Sequence, residues 1–412
     1  MLLEQYNVFL ARDTGIERER LREVEQAAEA PHAVIISGLR RAGKSTLLAQ
    51  MARKLGSARY YYINFEDDRF LGFQADNTTY LYQLLVELFG ERKIFVVDEI
   101  QNIAEWERFV RRFMDMGFKF YITGSNASLL SKELGSRLTG RYVAIDLFPF
   151  SFKEFLNFQN EPSFDLNRMT TAETGRLEKN LLAYLHDGGV PDALKYPKLP
   201  LLRTLYDDIL HRDIVTRYHI DTVSVIKELA FFLMSNPAGL ISFNKIKEQL
   251  KVGSVNTIKN YIGYMESSWL LFTLNVYDYS VKRQQIAPKK VYGIDPGMNN
   301  TIGLAFSPNT GRLLENAVFL ALRRQTRDIY YYTTPNGYEV DFYLPAQRRL
   351  IQVTQDFRNP ATRKREIRTL LDALQGLHAT SALVLSDANE QPLEVNGVSI
   401  EVRSTAEWLL RQ

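Results

Sequence analysis

The stretch "ISGLRRAGKSTLL", residues 36–48, separates Gly38 from Gly43-Lys44-Ser45 by four residues. A glycine-rich turn that ends a strand and opens a helix aims backbone N–H groups at an anion, and the helix N-terminus adds partial positive charge. The chemistry this spacing points to is the binding of a nucleotide's phosphates. Gly38, Arg40, Arg41, Ala42, Gly43, Lys44, Ser45 and Thr46 form the binding set, with Lys44 on the β and γ phosphates and the Ser45 hydroxyl on Mg²⁺.

A second group is "KIFVVDEI" at 93–100. Four apolar residues carry Asp98 to the C-terminal end of a buried strand, where open α/β sheets hold their ligands. Asp98 is expected to hold Mg²⁺ through water, and Glu99, one residue beyond, to polarise the attacking water. Further on, "FKFYITGSNASLL" ends a strand in Thr123, Gly124, Ser125 and Asn126. Asn126 or Ser125 is a candidate to orient that water, while an ordinary Gly-Ser-Asn turn explains the same residues equally well. Arg137 and Arg141 lie in "SRLTGRYVAIDL". Either is a candidate to stabilise charge on a neighbouring subunit's phosphoryl group, with a solvated surface arginine as the alternative. Arg141 is favoured because it directly precedes a strand.

The elements that must position these groups follow from the hydrophobic period. Short apolar runs at 33–38, 60–65, 93–99, 118–125 and 142–147 alternate with helical stretches, which implies a mostly parallel sheet covered on both faces. Residues 156–284 read as mostly helical. They include "FNKIKEQLKVGSVNTIKNYIGYMESSWLLFTLNVY", whose helix, turn, helix and strand pair suggest a winged helix-turn-helix. Lys251, Lys259 and Asn260 lie on or near its second helix, where such modules read DNA; the aromatic run "YIGYMESSWLLF" favours burial and interdomain packing instead. From 285 to 412 a helix, three strand runs, a basic helix and further strands form a mixed sheet.

Composition sets the outer bounds. The 412 residues are 45% hydrophobic and 24% charged, as in ordinary globular proteins. With no cysteine, thiolate nucleophiles, disulfides and Cys-ligated metals are excluded. A net charge of +3 is too weak to demand nucleic acid as partner. The N-terminus lacks a basic segment followed by an apolar one, and no run approaches the ~18 apolar residues of a membrane span. The expected location is cytoplasmic, with no membrane partner.

With "GLRRAGKST", "VVDEIQNIAEWE", "ITGSN", "GRYVAIDLFPFSFKEF", "GGVPDAL", "LENAVFLALRR" and "YEVDFYL", the chain resembles the AAA+ P-loop ATPases of archaea and bacteria that carry a C-terminal domain with a restriction-endonuclease-like core. The resemblance implies an ATPase core over 1–155, a helical lid and winged-helix region over 156–284, and an endonuclease-like α/β domain over 285–412. It implies that Asn126 or Ser125 is a sensor, that Arg141 acts at the subunit edge of a homo-oligomer, a hexamer being one form, and that Gly188, Gly189 and Pro191 close over the nucleotide from the lid. ATP and Mg²⁺ are the implied cofactors.

Nucleases of the restriction type gather a helix acid, a strand Asp and a Glu-x-Lys around Mg²⁺. Here Glu315, Asp341 and Gln352 occupy the corresponding places. Gln352 is a poorer ligand than a carboxylate, and Thr354 cannot supply the expected cation. The domain therefore reads as a binding or assembly module without nuclease activity. Arg323, Arg324, Arg348, Arg349, Arg363, Lys364 and Arg365 are candidates to track a phosphate backbone, or to be solvated faces. Three functions follow as expectations: a motor that remodels duplex, forked or branched DNA, a nucleotide-switched scaffold for a protein partner, and an ATP-gated nuclease.

Overall fold

The structure is a computed structural model that describes residues 1–125, 138, 140–303, 310–377, 379–395 and 398–412. Two compact units emerge, Met1–Pro149 with Ser267–Trp269, and Phe150–Glu266 with Leu270–Gln412. The helical zone and the C-terminal zone thus fall in one unit.

The first unit opens with α1 (Leu2–Leu10) and α2 (Leu21–Gln26), then runs β1 (Ala33–Gly38), α3 (Lys44–Leu55), β2 (Tyr60–Asn64), α4 (Thr78–Phe89), β3 (Ile94–Asp98), α5 (Trp106–Asp115), β4 (Lys119–Gly124) and β5 (Tyr142–Leu147). All five expected strands form, in one parallel sheet of order β2-β3-β4-β1-β5. Both faces are covered, which is why the strands read as continuous apolar runs. Ala33 and Ile35 pack with Val97, Phe120 and Phe109, whereas Val34 and Ile36 pack with Leu47, Met51 and Tyr121. The fold is α/β of the P-loop type. Sheet order brings the C-terminal ends of β1, β3 and β4 side by side.

In the second unit come α6 (Phe152–Phe158), α7 (Thr171–Asp187), α8 (Pro191–Lys195), α9 (Leu201–Asp208), a π-helix at Ile209–Thr216 and α10 (Val223–Met234). There follow β6 (Leu240–Ile241), α11 (Phe243–Gln249), α12 (Val255–Ser267), β7 (Leu271–Leu274), α13 (Val281–Ile286) and β8 (Lys289–Gly293). The three strands form an antiparallel sheet ordered β6-β8-β7.

The chain ends with α14 (Pro296–Ile302), α15 (Thr310–Gln325), β9 (Tyr330–Thr333), β10 (Glu339–Leu344), β11 (Arg349–Val353), α16 (Pro360–Gly376), β12 (Ser381–Ser386), β13 (Glu390–Val395), β14 (Val398–Ser404) and α17 (Thr405–Arg411). Their mixed sheet is ordered β13-β14-β12-β11-β10-β9. Strand β13 carries Pro392 and two glutamates, so it lacks the alternating pattern of a strand; it lies at the sheet edge, where a proline costs no ladder hydrogen bond. Among the described residues, no helix is long and apolar enough to cross a membrane.

Candidate nucleotide site and a buried ion cluster

Strand β1 delivers the chain to Gly38, where a β-carbon would lie 2.0 Å from the Leu147 carbonyl oxygen. Only glycine permits that approach of β1 to β5. The loop then turns through Arg41 at φ 62° and Gly43 at φ 94°, the left-handed region that favours glycine, before α3 begins at Lys44. Lys44 is buried, and its ammonium donates to the carbonyls of Gly38 at 3.2 Å and Leu39 at 3.0 Å. The lysine thus lies folded back along its own loop.

Asp98 ends β3, fully buried. Burial pushes its carboxyl above the usual range, against hydrogen bonds from the Thr123 and Ser45 hydroxyls, which favour the anion. Ser45 and Asp98, the two expected metal partners, therefore meet. Thr123, at the end of β4, donates to Asp98 and accepts from the Glu99 backbone N–H at 3.2 Å. Glu99 itself adopts φ 50°, and the Gln101 amide donates to its carboxylate while standing 3.5 Å from the Ser125 hydroxyl. Lysine, serine and both acids converge on one edge of the sheet.

Arg18 completes this site from the N-terminal segment, and no pattern in the sequence marks it. Its buried guanidinium donates to the carbonyls of Ala42 at 2.6 Å and Phe148 at 2.8 Å. It thereby ties the phosphate loop to the end of β5. Gln101, likewise unmarked in sequence, is the group that orients Glu99.

The remaining expected residues are placed as follows. Asn126 and Arg137 lie outside the described residues. Arg40 faces Glu66 at 3.8 Å. Arg141 is half-buried and bonded to Asp115 at 2.7 Å; its carbonyl accepts from the Ala33 backbone N–H, at the N-terminal end of β1. It therefore sits at the end of the sheet opposite its own phosphate loop. Gly188 and Gly189 follow α7 in the second unit. The Gly189 N–H donates to Asp295 at 2.6 Å and its carbonyl accepts from Phe150 at 2.7 Å, while Pro191 opens α8.

The acids of the C-terminal sheet are gathered around a residue that the spacing of motifs did not single out. The Lys290 ammonium, from β8, lies 2.8 Å from Glu315, 2.8 Å from Glu339 and 2.9 Å from Asp341. Tyr292, two residues along the same strand, donates to Glu315 at 2.8 Å. The Gln352 side-chain carbonyl accepts from the Asp341 backbone N–H at 3.3 Å. Three of the basic candidates pair within the domain: Arg363 with Glu390 at 2.7 Å, Arg349 with Glu401 at 3.3 Å and Arg365 with Glu366 at 2.5 Å, while Lys364 is exposed.

The chain matches three known families. Residues 30–156 match the AAA domain family, 178–309 a domain of unknown function (DUF8612) and 310–403 a further domain of unknown function (DUF4143). The chain is similar to the uncharacterized protein MJ1544 of Methanocaldococcus jannaschii, 36% identical over 356 residues that cover 83% of this chain and 79% of that one. An uncharacterized protein of Haemophilus influenzae is 28% identical over 411 residues, covering 96% of this chain and 99% of its own. Among solved structures, the Walker-type ATPase PABY2304 of Pyrococcus abyssi aligns at 16% identity and a TM-score of 0.42, over 72% of this chain and 99% of that one.

Proposed function

The chain belongs to the same family as MJ1544, and we propose that it is a Mg²⁺-dependent ATPase whose cycle acts on DNA. The observation that carries the first half is the convergence of Lys44, Ser45, Asp98 and Glu99 at one sheet edge. A buried carboxylate attended by hydroxyls is a donor set that suits a hard divalent cation. Bound there, Mg²⁺ would neutralise charge on the β and γ phosphates. Lys44 exchanges its two loop carbonyls for phosphate oxygens, at little cost in reorganisation because its ammonium is already in the loop. Glu99, held by Gln101, accepts the proton of the attacking water.

Arg141 supports an oligomer. Six residues of β5 separate it from the loop end of the sheet, roughly 20 Å at strand rise, so it serves a neighbouring copy rather than its own site.

The DNA reading rests on the second unit. α10, β6, α11, α12 and the strand pair β7 and β8 follow in the order of a winged helix-turn-helix. Ile258, Tyr261, Ile262 and Met265 bury one face of α12, which leaves Asn256, Lys259 and Asn260 exposed on the other. Lys245 and Lys251 are also exposed, as are Lys282 and Arg283 between β7 and β8. The exposed lysines of α11, α12 and this wing are the groups we assign to phosphates; Arg283 of the wing also pairs with Asp278 at 3.2 Å.

The test is ATP turnover with single-stranded, duplex, forked and four-way-junction DNA, in wild type and Lys251→Glu/Lys259→Glu. Stimulation that the double variant loses supports the reading. Each phosphate contact removed should also lower the salt slope of binding by about 0.9. A slow turnover indifferent to every DNA would instead favour a nucleotide-switched scaffold for a protein partner.

A further inference from the structure

The Lys290 cluster belongs to the second unit and shares no residue with the nucleotide site. Its lysine is 1% exposed, the Glu315 side chain 13% and the Asp341 side chain 9%. An ammonium has three protons, and here three carboxylates from α15 and β10 take them: Glu315, Glu339 and Asp341. The second Asp341 oxygen accepts from the Val353 backbone N–H at 2.9 Å. Gln352, the residue at the third ligand position, spends its carbonyl on the Asp341 N–H. The groups that a metal would need are thus occupied by a side chain of the protein itself. As the protein stands, no group of three or more His, Cys, Asp or Glu among the described residues could hold a metal ion, this trio included.

Electrostatics explains why the lysine is retained. An ammonium buried this deeply needs compensating charge, and Glu315, Glu339 and Asp341 supply it at 2.8–2.9 Å. Three carboxylates this close would repel one another without a cation between them.

We propose that Lys290 is a tethered cation that takes the place of a divalent metal, closing the carboxylates of this sheet to metal ions, and that Lys290→Ala opens a divalent-cation site formed by Glu315, Glu339 and Asp341. Geometry supports the exchange. The three oxygens already surround one point at 2.8–2.9 Å. A contraction of roughly 0.4 Å brings them to the 2.3–2.6 Å that Ca²⁺ accepts, and water completes the shell.

The experiment counts bound Mn²⁺ by electron paramagnetic resonance in the nucleotide-free full-length chain, with Asp98→Asn in every sample to silence the phosphate-loop site. The parent should bind no Mn²⁺, Lys290→Ala a single ion, and Lys290→Ala/Asp341→Asn none. Heat stability gives a second readout: the melting temperature of Lys290→Ala should fall and then recover with Ca²⁺, while the parent stays indifferent to Ca²⁺ and to chelator. A folded Lys290→Ala that takes up no metal would overturn the proposal. So would a parent that binds Mn²⁺ and loses it on Asp341→Asn, because the native site would then be a metal site; this arm can overturn the proposal even if Lys290→Ala fails to fold, and Lys290→Met, which keeps the side chain's length without its charge, then replaces it in the metal count.

Discussion

The Thr123 hydroxyl donates to the Asp98 carboxylate while accepting the backbone N–H of Glu99, so one side chain of β4 fixes both acids at the end of β3. Asp98 and Glu99 are neighbours in sequence to which the proposed mechanism gives different work. Asp98 points into the loop toward Ser45, whereas Glu99, in the left-handed region, turns toward Gln101.

Thr123→Val keeps the shape of this contact and removes its polarity. Leaving a buried donor or acceptor without a partner costs about 1–3 kcal/mol. We expect ATP binding to survive and turnover to fall by about 10- to 100-fold, since 1.4 kcal/mol corresponds to about tenfold in rate. Steady-state hydrolysis beside direct ATP binding checks this; equal losses in both would mean that the loop itself has collapsed.

Arg18→Ala acts on the loop from behind. It removes the guanidinium donor from the Ala42 and Phe148 carbonyls, and losing a buried hydrogen bond to a charged group costs about 1.5–3 kcal/mol. Heat stability should drop and ATP affinity should weaken by about 10-fold or more. Arg18→Lys should not restore it, because one ammonium cannot reproduce a planar fork between two carbonyls. Calorimetric titration with ATP separates the outcomes.

Asp295 makes unit 2 sensitive to pH. Burial pushes its carboxyl up to about 6, against hydrogen bonds from the backbones of Gly189, Met298 and Gly297. The native state therefore holds this proton more tightly than the unfolded chain. That contribution is fully present below about pH 4 and is lost as the pH rises through about 6. The shift corresponds to about 3 kcal/mol for a group buried to this degree. Urea unfolding of wild type and Asp295→Asn between about pH 4 and pH 7 should show wild type losing ground to the variant as the pH rises. Parallel curves would contradict the assignment.

The sequence made some of this legible and hid the rest for a physical reason. The parallel strands were readable because strands buried on both faces become unbroken apolar runs, and β3 carried Asp98 to its end without ambiguity. The Gly38–Gly43–Lys44 spacing announced a loop because Gly38 lies against the Leu147 carbonyl and Gly43 takes a left-handed φ. Arg18 and Lys290 were invisible, since their meaning lies in distant partners: Arg18 reaches a carbonyl 130 residues away, and Lys290 an aspartate 51 residues away. Glu315 and Asp341 were found by their spacing, but the cation that unites them comes from β8, a stretch to which the sequence reading assigned no element. Strand β13 was hidden by its proline.

The central claim is that Glu99 activates water at a site whose binding depends on Lys44, Ser45 and Asp98. The most direct measurement is single-turnover ATP hydrolysis with Mg²⁺ by wild type, Glu99→Gln and Lys44→Ala, with nucleotide binding measured on the same samples. Glu99→Gln should bind ATP as wild type does and lose about 10²–10⁴-fold in turnover, the range set by general-base catalysis. Lys44→Ala should lose binding. A Glu99→Gln chain that turns over ATP at the wild-type rate would contradict the account.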